Sequence, residues 1–196
     1  PTEDHMPKSY LVDEPGAARA FQNKFNPFNQ VNSRIREYEA VGHPNDKIEL
    51  LVLGGSWSCY PRAYQEWFIR RCFDAMNADS TPPGEEPVEV AEPPASMRSP
   101  AGLEKLHRAH ERNENAQHRN VGLVIETRPD EIDRDELVWL RQLGVTKVQM
   151  GAQSLDDRVL ALNLRGHTSA DTLHAVSLLR AAGFKIVLHW MPNLLG

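Results

Sequence analysis

From residue 48 onward, apolar runs of strand length alternate with helix-period segments, and that alternation is the signature of β/α units feeding a parallel sheet. Four units can be traced. The first strand is expected at Ile48 to Leu53 (IELLVL), nearly continuous in apolar residues, as in a strand covered on both faces. Further strands are expected at Val121 to Ile125, Val145 to Met150 and Phe184 to Trp190. Pro61 opens a helix whose Tyr64, Trp67, Phe68, Cys72, Ala75 and Met76 recur at helical spacing, which makes Cys72 a core residue rather than a thiolate. Asp133 with Glu136 resembles a capping box, and Leu137, Leu140 and Leu143 run to a stop at Gly144. Thr168 with Asp171 is a second, weaker capping signal, Val176 and Leu179 supply the buried face, and Gly183 ends that helix. Upstream, Ala17 to Val41 has helical tendency broken at Asn26-Pro27.

Charge is distributed unevenly over this frame. The formal net charge of −5 argues at first against a nucleic-acid partner. Between Asp79 and Pro100, however, five acids face a single arginine, six prolines crowd together and aromatic residues are lacking, so this stretch reads as a disordered acidic insertion and the remainder is close to neutral. No apolar run approaches the roughly 18–20 residues that span a bilayer, which excludes a membrane helix and leads to the expectation of a cytoplasmic protein. Cys59 and Cys72 alone hold neither a four-iron cluster nor a four-thiolate zinc site. His107, His110 and His118 lack a completing ligand pattern and read as a solvated helix face.

In parallel α/β folds ligands gather at the C-terminal ends of strands. There the chain places Gly54-Gly55-Ser56, Glu126-Thr127-Arg128-Pro129-Asp130, Gly151-Ala152-Gln153-Ser154 leading to Arg165-Gly166-His167, and His189-Trp190-Met191-Pro192-Asn193. Singly each has a plain reading: a turn, a local Glu126–Arg128 ion pair, a hydrogen-bonded strand histidine. Their coincidence at one end of consecutive strands points to a polar, mid-sized ligand with an amine or hydroxyl for Glu126 and a carboxylate or phosphate for Arg165 and the glycine backbone. Nucleophile-elbow, P-loop and dinucleotide fingerprints are missing.

The phrases MPKSYLVDEPGAARA, GHPNDK, IETRPD, GAQS and NLRGHT, in this order, resemble the radical S-adenosylmethionine (SAM) domain of the Elongator catalytic-subunit family of tRNA uridine acetyltransferases. The resemblance covers residues 6–196 apart from the insertion. It implies an α/β partial TIM-type barrel, truncated at both ends, forming one radical SAM core over 1–196 with the insertion at 79–100. It further implies SAM bound across the strand ends: Gly54 and Gly55 beneath the methionyl amine, Glu126 near the ribose, Gln153 and Arg165 around the methionine moiety, and His189 and Met191 near the adenine. Lys47, in GHPNDK, matches a lysine that contacts acetyl-CoA. The cofactors implied are SAM, a 4Fe-4S cluster and acetyl-CoA. The partners implied are tRNA, an acetyltransferase domain of the full-length protein and other Elongator subunits. Arg34, Arg36, Arg70, Arg71, Arg108, Arg112 and Arg119 are candidates for tRNA contact that otherwise read as solvated surface arginines. The family's three cluster cysteines precede the PKSYL segment, so no metal ligand is expected within the chain and its own catalytic activity is expected to be nil. A non-catalytic tRNA-binding or assembly module remains the alternative.

Overall fold

The computed structural model describes residues 14–80 and 103–196. Its elements in chain order are α1 (Pro15–Gln22), α2 (Pro27–Ala40), β1 (Lys47–Val52), α3 (Arg62–Met76), α4 (Leu103–Asn113), β2 (Arg119–Thr127), α5 (Arg134–Gln142), β3 (Lys147–Gln153), α6 (Asp157–Leu162), α7 (Ser169–Ala181) and β4 (Lys185–Trp190). The chain divides into two compact units, one of Pro1–Ile48 and Pro61–Val121, the other of Glu49–Tyr60 and Gly122–Gly196.

The second unit carries most of a sheet with strand order β1-β2-β3-β4, in which β2, β3 and β4 run parallel. The central strands are apolar on both faces: Leu123, Val124, Ile125, Val148, Met150 and Ala152 are fully buried. Each large side chain among them stabilises the fold by about 1.5–3 kcal/mol before the ordering entropy is subtracted. The edge strands differ. Leu51 of β1 and Val187 and Leu188 of β4 are about two-fifths exposed, so the expectation that the first strand is covered on both faces is corrected: β1 alternates, as an edge strand does.

Helix boundaries follow their caps. Asp133 Oδ1 accepts from Glu136 N at 2.8 Å and starts α5, which ends before Gly144. The weaker signal proves the more complete one: Thr168 and Asp171 form a reciprocal capping box at the start of α7. Helix α7 buries Thr172, Ala175 and Leu179, whereas Val176 is only half-buried. The first unit is helical. There α2 packs against α3 and α3 against α4, through a stripe on α3 that includes Trp67, Ile69, Cys72, Phe73 and Met76.

A chain of buried amides ties that unit together. Asn77 Nδ2 donates to Ala109 O and Asn113 Nδ2 to Asn77 Oδ1, both at 2.8 Å, while Asn113 Oδ1 accepts from Asn120 N at 2.7 Å. His118 is buried, with Nδ1 3.1 Å from Asn45 O and Nε2 3.3 Å from Asp79 Oδ2. This corrects the reading of a solvated histidine face: only His107 is exposed, and His110 lies edge-on to Phe73 with ring centroids 4.3 Å apart. Asp79 itself lies in a single 3-10 turn, Ala78–Ser80, and residues 81–100 of the acidic insertion lie outside the described residues.

Candidate ligand site at the strand ends

The chain leaves β1 through Gly54 and Gly55 at φ of 140° and 90°, a conformation that only glycine enters freely, and no atom lies within 4 Å of a Cβ built on Gly54. The backbone there is open to a ligand. The following turn, Trp57–Cys59, is pinned to the end of β2 by Ser58 Oγ and Thr127 Oγ1, 2.8 Å apart.

Strand β2 brings Glu126 to its last turn of pleat, half-buried, opposite Gln149 of β3. Its carboxylate takes no hydrogen bond or ion pair among the described residues. The local pair expected between Glu126 and Arg128 is not formed: Arg128 grips Asp130 bidentately, at 2.9 and 2.6 Å, which raises the guanidinium pKa further. Arg128 also donates to Arg165 O at 3.3 Å and so holds the loop after α6 beside the end of β2.

Strand β3 ends irregularly. Its register against β4 shifts between Met150 and Gln153, and Gln153 adopts φ of 66°. That turn folds the Gln153 side chain back across Gly151, where a Cβ would meet Nε2 at 2.8 Å; Gly151 is required by this close approach. Gln153 is buried and its Oε1 has no partner. Arg165 Nε and His167 Nδ1 are likewise buried and unpartnered. His167 Nε2 lies 3.1 Å from Ala152 O; a carbonyl only accepts, so Nε2 carries the proton and donates. On β4, His189 Nε2 meets Gln149 Oε1 at 2.8 Å, and Met191 N donates to Gln153 O at 3.0 Å, fixing the residues that leave the last strand.

Gly54, Gly55, Glu126, Gln153, Arg165, His189 and Met191 therefore all lie at or just beyond strand ends of one compact unit. Lys47 does not join them. It is the first residue of β1, exposed, at the other end of that strand from the glycine pair. His167, Gly151 and Gln149 are the residues that a reading of the sequence leaves without a role. The Gly-x-Gln spacing and the RGH triplet were their only signal.

The radical SAM superfamily profile matches residues 24–196. The chain belongs to the radical SAM superfamily. It is 38% identical over 191 residues to a "tRNA uridine(34) acetyltransferase" of Methanocaldococcus infernus, covering 97% of this chain and 32% of that protein. A protein of the same name from Dehalococcoides mccartyi is 38% identical over 196 residues, 100% of this chain and 38% of its own length. "Elongator complex protein 3" of Drosophila melanogaster is 31% identical over 191 residues, 97% and 31% of the two chains. Among solved structures, that of the archaeal Methanocaldococcus infernus Elp3 with an N-terminus deletion superposes with a TM-score of 0.74 at 38% identity, covering 90% of this chain and 36% of the other. The radical SAM fold, an α/β partial barrel with a parallel sheet, is thereby established, and the chain spans about a third of the length of the curated relatives it matches.

Radical SAM proteins use SAM and a 4Fe-4S cluster, and the residues present fit the two differently. The orphaned acceptor Gln153 Oε1, the unpartnered His167 Nδ1, the free donor Arg165 Nε, the unpaired Glu126 carboxylate and the open glycine backbone suit a zwitterionic, hydroxyl-bearing ligand such as SAM. Among the described residues no group of three or more His, Cys, Asp or Glu side chains could hold a metal. Cys72 is buried and its thiol is pushed far up by desolvation; Cys59 is exposed, its thiol raised first by desolvation and then by Glu131, so neither is poised as a thiolate. These residues do not fit a cluster. No helix among the described residues is long and apolar enough to cross a membrane.

Proposed function

We propose that this chain is the SAM-binding portion, spanning 1–196, of a tRNA uridine acetyltransferase. The observations that carry the reading are three buried, unpartnered polar atoms, on Gln153, Arg165 and His167, and a glycine pair at positive φ just after β1, all within the compact unit that holds the strand ends. SAM held there would supply radical chemistry, and binding and orienting it would be the work of the chain's own residues.

Arg165 binds the methionine carboxylate as a charge-assisted donor, and the Gly54-Gly55 backbone lies under the methionyl amine. Glu126 accepts from a ribose hydroxyl. Gln153 orients the methionine moiety, held in its rotamer by the absence of a side chain at Gly151. His189, fixed by Gln149, and Met191, fixed through its backbone to Gln153, face the adenine. The names of the relatives support tRNA as the substrate, and the name of the Drosophila relative supports Elongator subunits as partners. We extend the reading to acetyl-CoA as acetyl donor, reached by Lys47, to an acetyltransferase domain of the same protein, and to a cytoplasmic location.

Calorimetry of SAM against the full chain tests the site. Saturable binding is expected, weakened about tenfold or more by Arg165→Ala at unchanged melting temperature, because a hydrogen bond to a charged group contributes about 1.5–3 kcal/mol. A folded chain that does not bind SAM, or that binds it equally without Arg165, overturns the assignment.

A further inference from the structure

Of the seven arginines suited to tRNA contact, four are held by acids, whereas Arg36 and Arg119 are exposed and without an ion pair among the described residues. Arg71 is buried, paired with Asp74 at 3.1 Å and stacked over Phe28, so it is no surface arginine. Arg70 is held between Glu66 and Asp74, Arg34 is paired with Glu37 and Tyr38, and Arg108 lies 3.8 Å from Glu104. Arg36 differs from these four. It is exposed, takes no ion pair among the described residues, and lines an open cleft of about 740 Å³ where α1 meets α2.

The cleft has a consistent chemistry. Along α2, Asn29, Asn32, Ser33 and Arg36 follow at helical spacing and share one face, and all four line it. The Asn29 and Asn32 amides make no side-chain hydrogen bond to protein among the described residues. The other wall brings Gln22 and Lys24, the latter exposed and without an ion pair. The single acid in the lining, Glu37, is neutralised by Arg34 at 2.7 Å. Two cations without an ion pair among the described residues therefore line the cleft.

The elbow that carries Lys24 is built and not slack, and Phe21 and Phe25 bracket the lining residues Gln22, Asn23 and Lys24 in sequence without lining the cleft themselves. Helix α1 ends with Phe25 N donating to Ala20 O at 2.7 Å and Lys24 N to Phe21 O at 2.9 Å, the paired bonds of a Schellman motif. Lys24 and Phe25 both adopt left-handed backbone, at φ of 52° and 56°, which side-chain-bearing residues enter at a cost. The result lifts Phe25 to 68% exposure beside Phe21 at 58%, their rings edge-to-face at 6.4 Å.

We propose that the α1–α2 cleft binds a segment of single-stranded RNA, with Phe21 and Phe25 as a stacking platform, Lys24 and Arg36 on phosphates, and the Asn29 and Asn32 amides at base edges. The inference rests on the reading of tRNA as substrate and gives that substrate a place on the chain. Exposed aromatic rings flanked by unpaired cations and free amides are what an unstacked RNA strand requires; a peptide phosphate would use the cations and leave the rings and amides idle.

Fluorescence anisotropy of the full chain with a labelled uridine-rich RNA of about 12 nucleotides tests this. Phe25→Ala is expected to weaken binding about tenfold. Lys24→Ala with Arg36→Ala should flatten the slope of log affinity against log salt by about 1.4, at about 0.7 per lost phosphate contact. Phe25→Gly, which relieves the left-handed strain, guards against a folding artefact: it should keep or raise the melting temperature and still bind RNA weakly. If the wild-type chain does not bind RNA in about 50 mM salt, both the tRNA reading and the cleft assignment fall. If it binds with affinity and slope unmoved by these variants, the tRNA reading stands and the cleft assignment falls. Displacement of the RNA by a phosphoserine peptide as readily as by unlabelled RNA also overturns it.

Discussion

Two sets of buried polar side chains, one in each compact unit, follow opposite rules. In the helical unit Asn77 and Asn113 join α3, α4 and the start of β2 through bonds of 2.7–2.8 Å that use their amides against backbone and each other. At the strand ends Gln153 and His167 are buried and Arg165 is half-buried, yet each leaves a buried polar atom without a partner. Burial of polar groups is costly in both places, and only in the first is that cost offset within the chain. Satisfied amides build a fold; the unsatisfied atoms are the ones that the proposed SAM site would use.

Asn113→Ala gives the largest expected effect on the first side of this comparison. It strips partners from Asn77 Oδ1, His118 O and Asn120 N in a buried setting, for a loss of about 3 kcal/mol measured by urea unfolding. A loss below about 1 kcal/mol would mean that water replaces the amide and that the two sets do not differ in kind.

His110 probes whether one unpartnered atom is enough to mark a site. Its Nε2 is buried and unsatisfied, but it packs on Phe73 in the helical unit, with the His107 ring 6.3 Å away. Burial, and secondarily His107, lower its pKa from 6.5 to about 4. The unfolded chain thus binds the proton that the folded ring refuses: this contribution is complete above about pH 6.5 and is lost progressively as the pH falls toward about 4. Stability should drop by about 2 kcal/mol from this group over that interval, and His110→Leu should remove that part of the slope. An unchanged slope would show that the ring opens to water before it protonates.

Gly151→Ala strikes the other set with little structural damage. The new Cβ would meet only the end of the flexible Gln153 side chain, so stability should stay within about 1 kcal/mol while SAM affinity falls about tenfold as Gln153 is displaced. Equal SAM affinity would remove Gln153 from the site.

Much of this fold was legible from periodicity. All four strands and the cores of α3, α5 and α7 lie where the apolar patterns place them, because burying those side chains dominates the local choices, whereas α6 is not expected from them. What escaped was tertiary. The first strand reads as fully covered since its composition is apolar throughout, but edge position in the sheet decides exposure. His118 and Arg71 read as surface residues because sequence cannot show that Asn45 O, Asp79 and Asp74 wait for them. At the site, the glycines and Gln153 stood out as chemistry at strand ends. The roles of Gly151 and His167 depend on a left-handed turn at Gln153, which no local signal announces.

Leu164→Gly is the smallest and most discriminating test. Leu164 closes α6 in a Schellman turn, with Leu164 N to Ala161 O and Arg165 N to Leu160 O both at 3.1 Å, and holds φ of 52° where glycine is the usual occupant. Its side chain is 90% exposed, so its removal forfeits almost no burial. Relief of about 1–2 kcal/mol of left-handed strain, less the roughly 0.5–1 kcal/mol of chain entropy that glycine forfeits, leaves a net gain of about 0.5–1 kcal/mol. Thermal unfolding should rise by about 2 °C. Leu164 directly precedes Arg165, however, and a stiff turn there limits the directions the guanidinium can take. If the variant gains stability and loses SAM affinity together, the strain serves the site, as strain near ligand clamps commonly does; a gain in stability with SAM binding intact would assign the leucine to neither the fold nor the site.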